Sequence, residues 1–240
     1  RKTDVPLASD VATRRAFLNK LQEGKQSYLF RDEERIHHSM TVFSAELAVF
    51  LGRENWDFFQ ELSNLYDCPE SWEYETANCG KVRLDGVFLN ILGAMTPRGV
   101  TEILLPTAAG GGIASRCIFI HERKLGNIRV DPSIDFNLQA PLIEGLQHFS
   151  TMSGEFKRSK DFIEVMGQWY LRHRAIDFDE NPHWAGYQSR KRTHLLKLSM
   201  ILNVSRFDKT MTLEPEDLLE AINLIEEAEE NMFKVFSNPK

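Results

Sequence analysis

No phosphate-binding loop of the GxxxxGK[ST] kind occurs in this chain of 240 residues. Its two Gly-Lys pairs, Gly24-Lys25 and Gly80-Lys81, are followed by Gln26 and Val82, where such a loop needs Ser or Thr. Also missing is any apolar run near the ~20 residues that span a bilayer, and the first residues carry no secretory pattern. Cysteine is scarce: Cys68, Cys79 and Cys117 are an odd number without CxxC spacing. That argues against a disulfide framework and a structural zinc, and makes a reducing compartment the expectation. No surplus of positive charge exists either, since 35 acids against 29 bases leave a net charge of -6. The chain as a whole is therefore not a simple polyanion binder, although a local basic stripe remains open.

What is present is an ordinary globular composition, 42% hydrophobic, long enough for one large domain or two smaller ones. Charge is uneven: Glu61 to Glu75 is purely acidic, and Tyr187 to Lys197 is purely basic. Val5 to Ala8 reads as a short strand, followed by a helix capped by Asp10 or Thr13 and stopped at Gly24. Gln26 to Phe30 and about His38 to Ser44 read as strands joined through the polar tip RDEE, the second ending at Ala45-Glu46. Apolar residues from Leu47 to Tyr66 recur at helical spacing, as two helices divided near Gly52. YDCPESWEYETANCGKV then reads as a surface excursion, with Pro69, Asn78 and Gly80 as turn residues.

The stretch Phe88 to Glu122 holds two apolar runs, FLNILGAM and RCIFIHE, that read as buried strands of a parallel sheet joined by a helix near Val100 to Leu104. In such sheets ligands sit beyond the carboxyl ends of the strands. The region around Lys124 to Pro141, rich in Gly, Asn and Pro, reads as a domain boundary. Everything beyond it reads as helix: Leu142 to Ser150; a helix capped by Ser159 that buries Phe162, Met166, Trp169 and Tyr170; Ser189 to Arg206; and Glu214 to Phe236.

Four residues in the first part are candidates for phosphoryl chemistry, each with a plain structural alternative. Glu46, at the end of an apolar strand, is placed to polarise water, or else is an acid favoured at a helix N-terminus. Asn90 interrupts an apolar strand and needs a hydrogen-bond partner, either backbone or a water beside a nucleotide; Thr96 closes the same strand. Arg116 follows GGGIAS, a run that could present it to a phosphate of a neighbouring subunit or simply make a turn. His37 and His38 point to opposite faces of a strand, so they share no metal. Further on, Arg190, Lys191, Arg192 and Lys197 either contact nucleic-acid phosphates or form a solvated helix face.

The phrases TVFSAELAVFLG, LYDCPESWEYET, LNILGAMTP, GGGIASRCIFIHE and SRKRTHLLKLSMILNVSR resemble a family of phage- and prophage-encoded proteins of unknown function, within predicted replicative P-loop ATPases of the primase-helicase type. The resemblance covers nearly the whole chain. It implies an α/β fold with a partial RecA-like or AAA+-like parallel sheet over residues 1–125, and an all-α domain over 140–240. It further implies ATP and Mg2+ in the complete protein, a ring-shaped homo-oligomer, DNA and other replication proteins as partners, and the cytoplasm of a bacterial or phage-infected cell. In that pattern Glu46 matches the acid of the Walker B strand, Asn90 and Thr96 fall in a sensor-like strand, and Arg116 takes a finger-like position. Two departures stand out: Ala45 occupies the place of the magnesium-binding aspartate, and the phosphate loop is missing. With Arg1 at the start instead of Met, the expectation is a fragment inactive on its own, or else a non-catalytic scaffold of ATPase-like fold.

Overall fold

A computed structural model describes residues 7–8, 14–53, 55–76, 80–104, 112–122, 131, 133, 135–176, 182–206 and 210–236. The chain divides into two compact units, Arg1–Cys117 with Glu180–Gln188 and Val235–Lys240, and Ile118–Asp179 with Ser189–Lys234. It is an α/β protein with small mixed sheets and a helical C-terminal part.

The first unit is built on one long strand. Elements β1 (Leu7–Ala8), α1 (Arg14–Glu23), β2 (Lys25–Phe30) and β3 (Glu33–Ser44) follow in order. Antiparallel pairing of β2 with β3 matches Phe30 to Glu33, leaving Arg31 and Asp32 as a two-residue loop with φ of 52° and 63°. Both central residues at positive φ give the twist that a tight hairpin requires. The expected caps of α1, Asp10 and Thr13, lie outside the described residues. Next come α2 (Leu47–Leu51) and α3 (Trp56–Tyr66), divided at Gly52 as the spacing predicts. Phe17, Phe50 and Phe58 meet edge to face in the core, with ring centroids 5.3 to 6.0 Å apart.

The polar stretch after α3 is not a loop. Ser71–Thr76 (β4) and Gly80–Asp85 (β5) form an antiparallel hairpin. Val82 and Leu84 point into the core, while Trp72 and Tyr74 stack on each other with centroids 5.8 Å apart. Trp72, Tyr74, Val82 and Leu84 alternate with period two, a strand signal that the neighbouring turn residues Pro69, Asn78 and Gly80 obscure. Gly86 then turns the chain at φ 56°, where a Cβ would stand 2.8 Å from the Ile36 carbonyl.

β6 (Val87–Gly93) pairs in parallel with β3, from His38 opposite Val87 to Ser44 opposite Gly93. β1 pairs in parallel with the other edge of β3 at Thr41 and Val42. The sheet is thus four-stranded and mixed. Two expectations are corrected here. The FLNILGAM strand forms but is not buried, since Phe88, Asn90, Ile91 and Leu92 are exposed; among the described residues β6 has a strand on one side only. The RCIFIHE strand does not form: Ile113–Arg116 is a 3-10 turn, and 117–122 runs on without a ladder partner among the described residues. Between them lie a single turn, α4 (Pro97–Gly99), and a π-helical turn over Val100–Leu104.

The second unit is helical, as expected, apart from one two-residue parallel pair. Its elements are α5 (Gln139–Phe149), β7 (Lys157–Arg158), α6 (Lys160–Arg174), α7 (Pro182–Ser205), β8 (Thr212–Leu213) and α8 (Pro215–Phe236), with the start of α7 and the end of α8 belonging to the first unit. Ser159 caps α6 by accepting from the Phe162 amide at 3.1 Å. Phe162, Met166 and Trp169 pack against Leu195, Leu213, Leu218 and Ile225 in one buried cluster. No helix among the described residues is long and apolar enough to cross a membrane.

Candidate functional site

Two of the four candidate residues of the first unit gather where β3 and β6 end. β3 stops at Ser44, Ala45 and Glu46 turn the chain, and α2 begins at Leu47. β6 runs alongside and is clamped to that turn: the Ala94 amide donates to the Ser44 carbonyl at 2.9 Å, and the Leu47 amide donates to the Ala94 carbonyl at 2.8 Å. Gly93 allows this fit, because a Cβ there would lie 2.9 Å from Leu47 Cδ1. Glu46 is exposed and its carboxylate makes no capping bond, while its carbonyl accepts from the Val49 amide at 2.9 Å. A carboxylate is therefore held at the carboxyl end of two adjacent parallel strands, the position where open α/β sheets receive ligands.

Thr96 lies two residues beyond Ala94, and its hydroxyl accepts from the Gly99 amide at 3.1 Å, capping α4. Asn90 is not at the strand end. It stands opposite Thr41, three positions before the Ser44–Gly93 pair, or about 10 Å back along the strand. There its Nδ2 donates to Thr41 Oγ1 at a long 3.5 Å.

Arg116 is turned toward its own unit. Its Nη2 lies 3.1 Å from Asp67 Oδ2 at the end of α3, its Nη1 donates to the Gly112 carbonyl at 3.4 Å, and its guanidinium carbon is 5.9 Å from the centre of the Tyr66 ring. Only 9% of the side chain is exposed. The glycine run leads into a turn whose arginine is occupied by an ion pair; nothing in the sequence of that run points to Asp67, 49 residues away.

Sequence reading passed over a polar row on the open face of the sheet. His37, Ser39, Thr41 and Asn90 share that face, with Ser39 Oγ 2.5 Å from His37 Nδ1 and the Tyr28 ring meeting His37 edge to face at 5.7 Å. Burial pushes the His37 imidazole below its usual range, with the neighbouring His38 acting in the same direction. The opposite orientations of the two histidines are as expected: His38 is buried, and its Nδ1 accepts from the Asp85 amide at 3.0 Å.

In the second unit the basic set separates. Lys191 is buried, and its Nζ lies 2.6 Å from Glu229 Oε2. Arg190 and Lys197 are half-buried, whereas Arg192 is exposed and lies 5.2 Å over the Tyr170 ring. Of the four, Arg192 is the side chain most open to a phosphate.

A cavity of about 150 Å³ lies between α1 and the β4–β5 hairpin, lined by Arg14, Arg15, Leu18, Asn19, Tyr74 and Val82. The Arg14 guanidinium there is engaged by Glu61 and Asp57 of α3, its Nε donating to Glu61 Oε2 at 2.8 Å. Among the described residues no three His, Cys, Asp or Glu side chains converge on one point. With Ala45 before Glu46, the strand end supplies a single carboxylate, which fits a group that polarises water and does not by itself fit a magnesium shell. No family model matches the chain, and no curated protein is significantly similar to it.

Proposed function

We propose that this chain contributes the acid-bearing strand of a nucleotide-hydrolysing site in a replicative P-loop ATPase that works on DNA as a ring of like subunits, with a RecA-like or AAA+-like sheet completed by polypeptide that carries the phosphate loop. The observation that supports this reading is the pairing of β3 with β6: they lie side by side, parallel, with Glu46 exposed just past their common carboxyl end. Glu46 would orient and polarise the attacking water, and Thr96 would sit on the same rim. The nucleotide phosphates would be cradled by the loop that these 240 residues lack. Transfer of a phosphoryl group to water depends on positioning and charge stabilisation, so half a site gives no turnover. The 240 residues alone should not hydrolyse ATP in the presence of Mg2+. Turnover by this chain that disappears in Glu46→Gln would show a complete site here and overturn the division.

A second reading is favoured by the engagement of Arg116 with Asp67 and by Thr96 acting as a cap. In it the chain is a non-catalytic, ATPase-like scaffold that oligomerises or docks other replication proteins. The gene sequence upstream of Arg1 separates the two: a GxxxxGK[ST] motif there favours the motor, and a start without one favours the scaffold.

A further inference from the structure

We propose that the open edge of β6 pairs antiparallel with β6 of a second copy of this chain, about a two-fold axis through Asn90. Edge strands of soluble proteins are normally blunted by charge, proline or a bulge. This one is not: from Gly86 to Thr96 the sequence GVFLNILGAMT has no charged residue and no proline. It nevertheless exposes Phe88 at 49%, Ile91 at 37% and Leu92 at 64%, next to Phe43 of β3 at 52%.

The register decides which backbone groups are offered. The His38 amide donates to the Gly86 carbonyl and the Ala94 amide donates to the Ser44 carbonyl. Alternation along a parallel ladder then turns the amides and carbonyls of Phe88, Asn90 and Leu92 toward β3, and those of Leu89, Ile91 and Gly93 outward. The Val87 amide, which also points outward, already donates to the Pro69 carbonyl at 3.1 Å. Among the described residues, the stretch without a backbone partner on that side therefore begins at Leu89.

That stretch is self-complementary about Asn90. Placing Asn90 opposite its symmetry mate sets Leu89 opposite Ile91 of the second copy, and both residues have outward backbone groups, so each pair exchanges two hydrogen bonds. Asn90 and its mate then form the non-hydrogen-bonded pair, about 4.5 Å apart at Cα, where their amide side chains meet. On the same face Phe88 stands opposite Leu92 of the partner copy. Shifting the axis to Leu89 would bring the engaged Val87 amide into the ladder and set Asn90 against Phe88; shifting it to Ile91 would set Asn90 against Leu92. Only the Asn90-centred register pairs amide with amide, and a lone polar residue in an apolar seam is a device that fixes register and partner number. The absence of charge also means that a second copy meets no repulsion. The contact is isologous and closes at two copies, so it does not rest on the ring invoked above.

Sedimentation velocity on the 240-residue chain at micromolar concentration should give a species of twice 27.7 kDa. Phe88→Lys or Leu92→Glu alone should weaken that dimer at least about tenfold, by placing two unpaired charges in the seam, one from each copy. The double variant should recover it, because in this register Lys at 88 faces Glu at 92 of the partner. Both changes fall on exposed side chains, and circular dichroism is to check that each of the three variants is folded. A wild-type monomer overturns the proposal and leaves the edge to a strand from a different polypeptide. So does a dimer indifferent to Phe88→Lys, or a folded double variant that stays monomeric.

Discussion

Arg116 and Asp67 form an ion pair across 49 residues, Nη2 to Oδ2 at 3.1 Å, which ties the turn after the glycine run to the C-terminal end of α3. The guanidinium is nearly buried while the carboxylate is half exposed, and the helix terminus itself favours a cation there. Replacing Arg116 with Ala removes the charge, the bond to the Gly112 carbonyl and the packing on Tyr66, and should cost about 1–2 kcal/mol of stability. Asp67→Asn should cost less, because the helix end and the ring remain. Urea midpoints of the two variants measure this. An Arg116→Ala protein with an unchanged midpoint would return this side chain to the role of a finger for a neighbouring site.

The buried Lys191–Glu229 pair separates fold from nucleic-acid binding in the second unit. Both side chains are largely shielded, with 8% and 13% exposed, so removing one partner strands a charge. Lys191→Ala should lower stability by about 3 kcal/mol, and Lys191→Met together with Glu229→Leu should restore most of it. Thermal unfolding of the two proteins checks the pair. If the helical unit touches DNA, Arg192→Ala should flatten the salt dependence of affinity by roughly one contact, whereas the Met/Leu pair should leave that slope unchanged.

Local pattern was enough to find the helices of the second unit and the β2–β3 hairpin, though not their bounds: α7 begins at Pro182 instead of Ser189, and β3 at Glu33 instead of near His38. There the signal lies within a few residues: Ser159 as cap, Pro215 opening α8, and a polar tip between two apolar strands. Side-by-side placement of the strands bearing Glu46 and Asn90 is what the sensor-strand pattern of the resemblance implies; the apolar runs by themselves name no neighbour. Legibility failed where contacts are long-range or where local signals compete. RCIFIHE has the composition of a strand, yet forms no ladder, and apolar content by itself cannot name a partner. How far Asn90 lies from the strand end depends on register with β3, which the sequence of β6 does not carry. The β4–β5 hairpin was hidden by Pro69, Asn78 and Gly80, although Trp72 and Tyr74 alternate through it.

His37 should make the protein sensitive to mild acid. Its folded value lies below 6.5 because burial and His38 both disfavour the imidazolium, so the unfolded chain takes up the proton first as pH falls. Stability should therefore decline as pH drops through 6.5 and level off below the folded value. His37→Gln keeps a group able to accept from the Ser39 hydroxyl and removes the titration, so it should flatten this part of the curve. Melting temperatures of both proteins between pH 5 and 7 are the measurement. An equal slope in the variant would place the acid sensitivity elsewhere.

At the alkaline end the corresponding group is Cys117. Burial pushes its thiol from 9.0 up to about 11, against a smaller opposing pull from Arg116, and Sγ lies 3.4 Å from the Ile113 carbonyl. The native protein therefore keeps the proton while the unfolded chain releases it. Stability is fully present below pH 9, falls as pH rises, and is lost to this group by about pH 11. Cys117→Ser should remove that slope. Reactivity gives an independent reading: in a Cys68→Ser/Cys79→Ser protein, where Cys117 is the sole thiol, a thiolate-directed reagent should label slowly at pH 8 and fast after unfolding. Exposed Cys68, by contrast, should react in the native protein at that pH. Fast labelling of native Cys117 at pH 8 would mean that the turn from Ile113 to Arg116 opens without global unfolding. In that case Arg116→Ala, which releases the same turn from α3, should accelerate the labelling further.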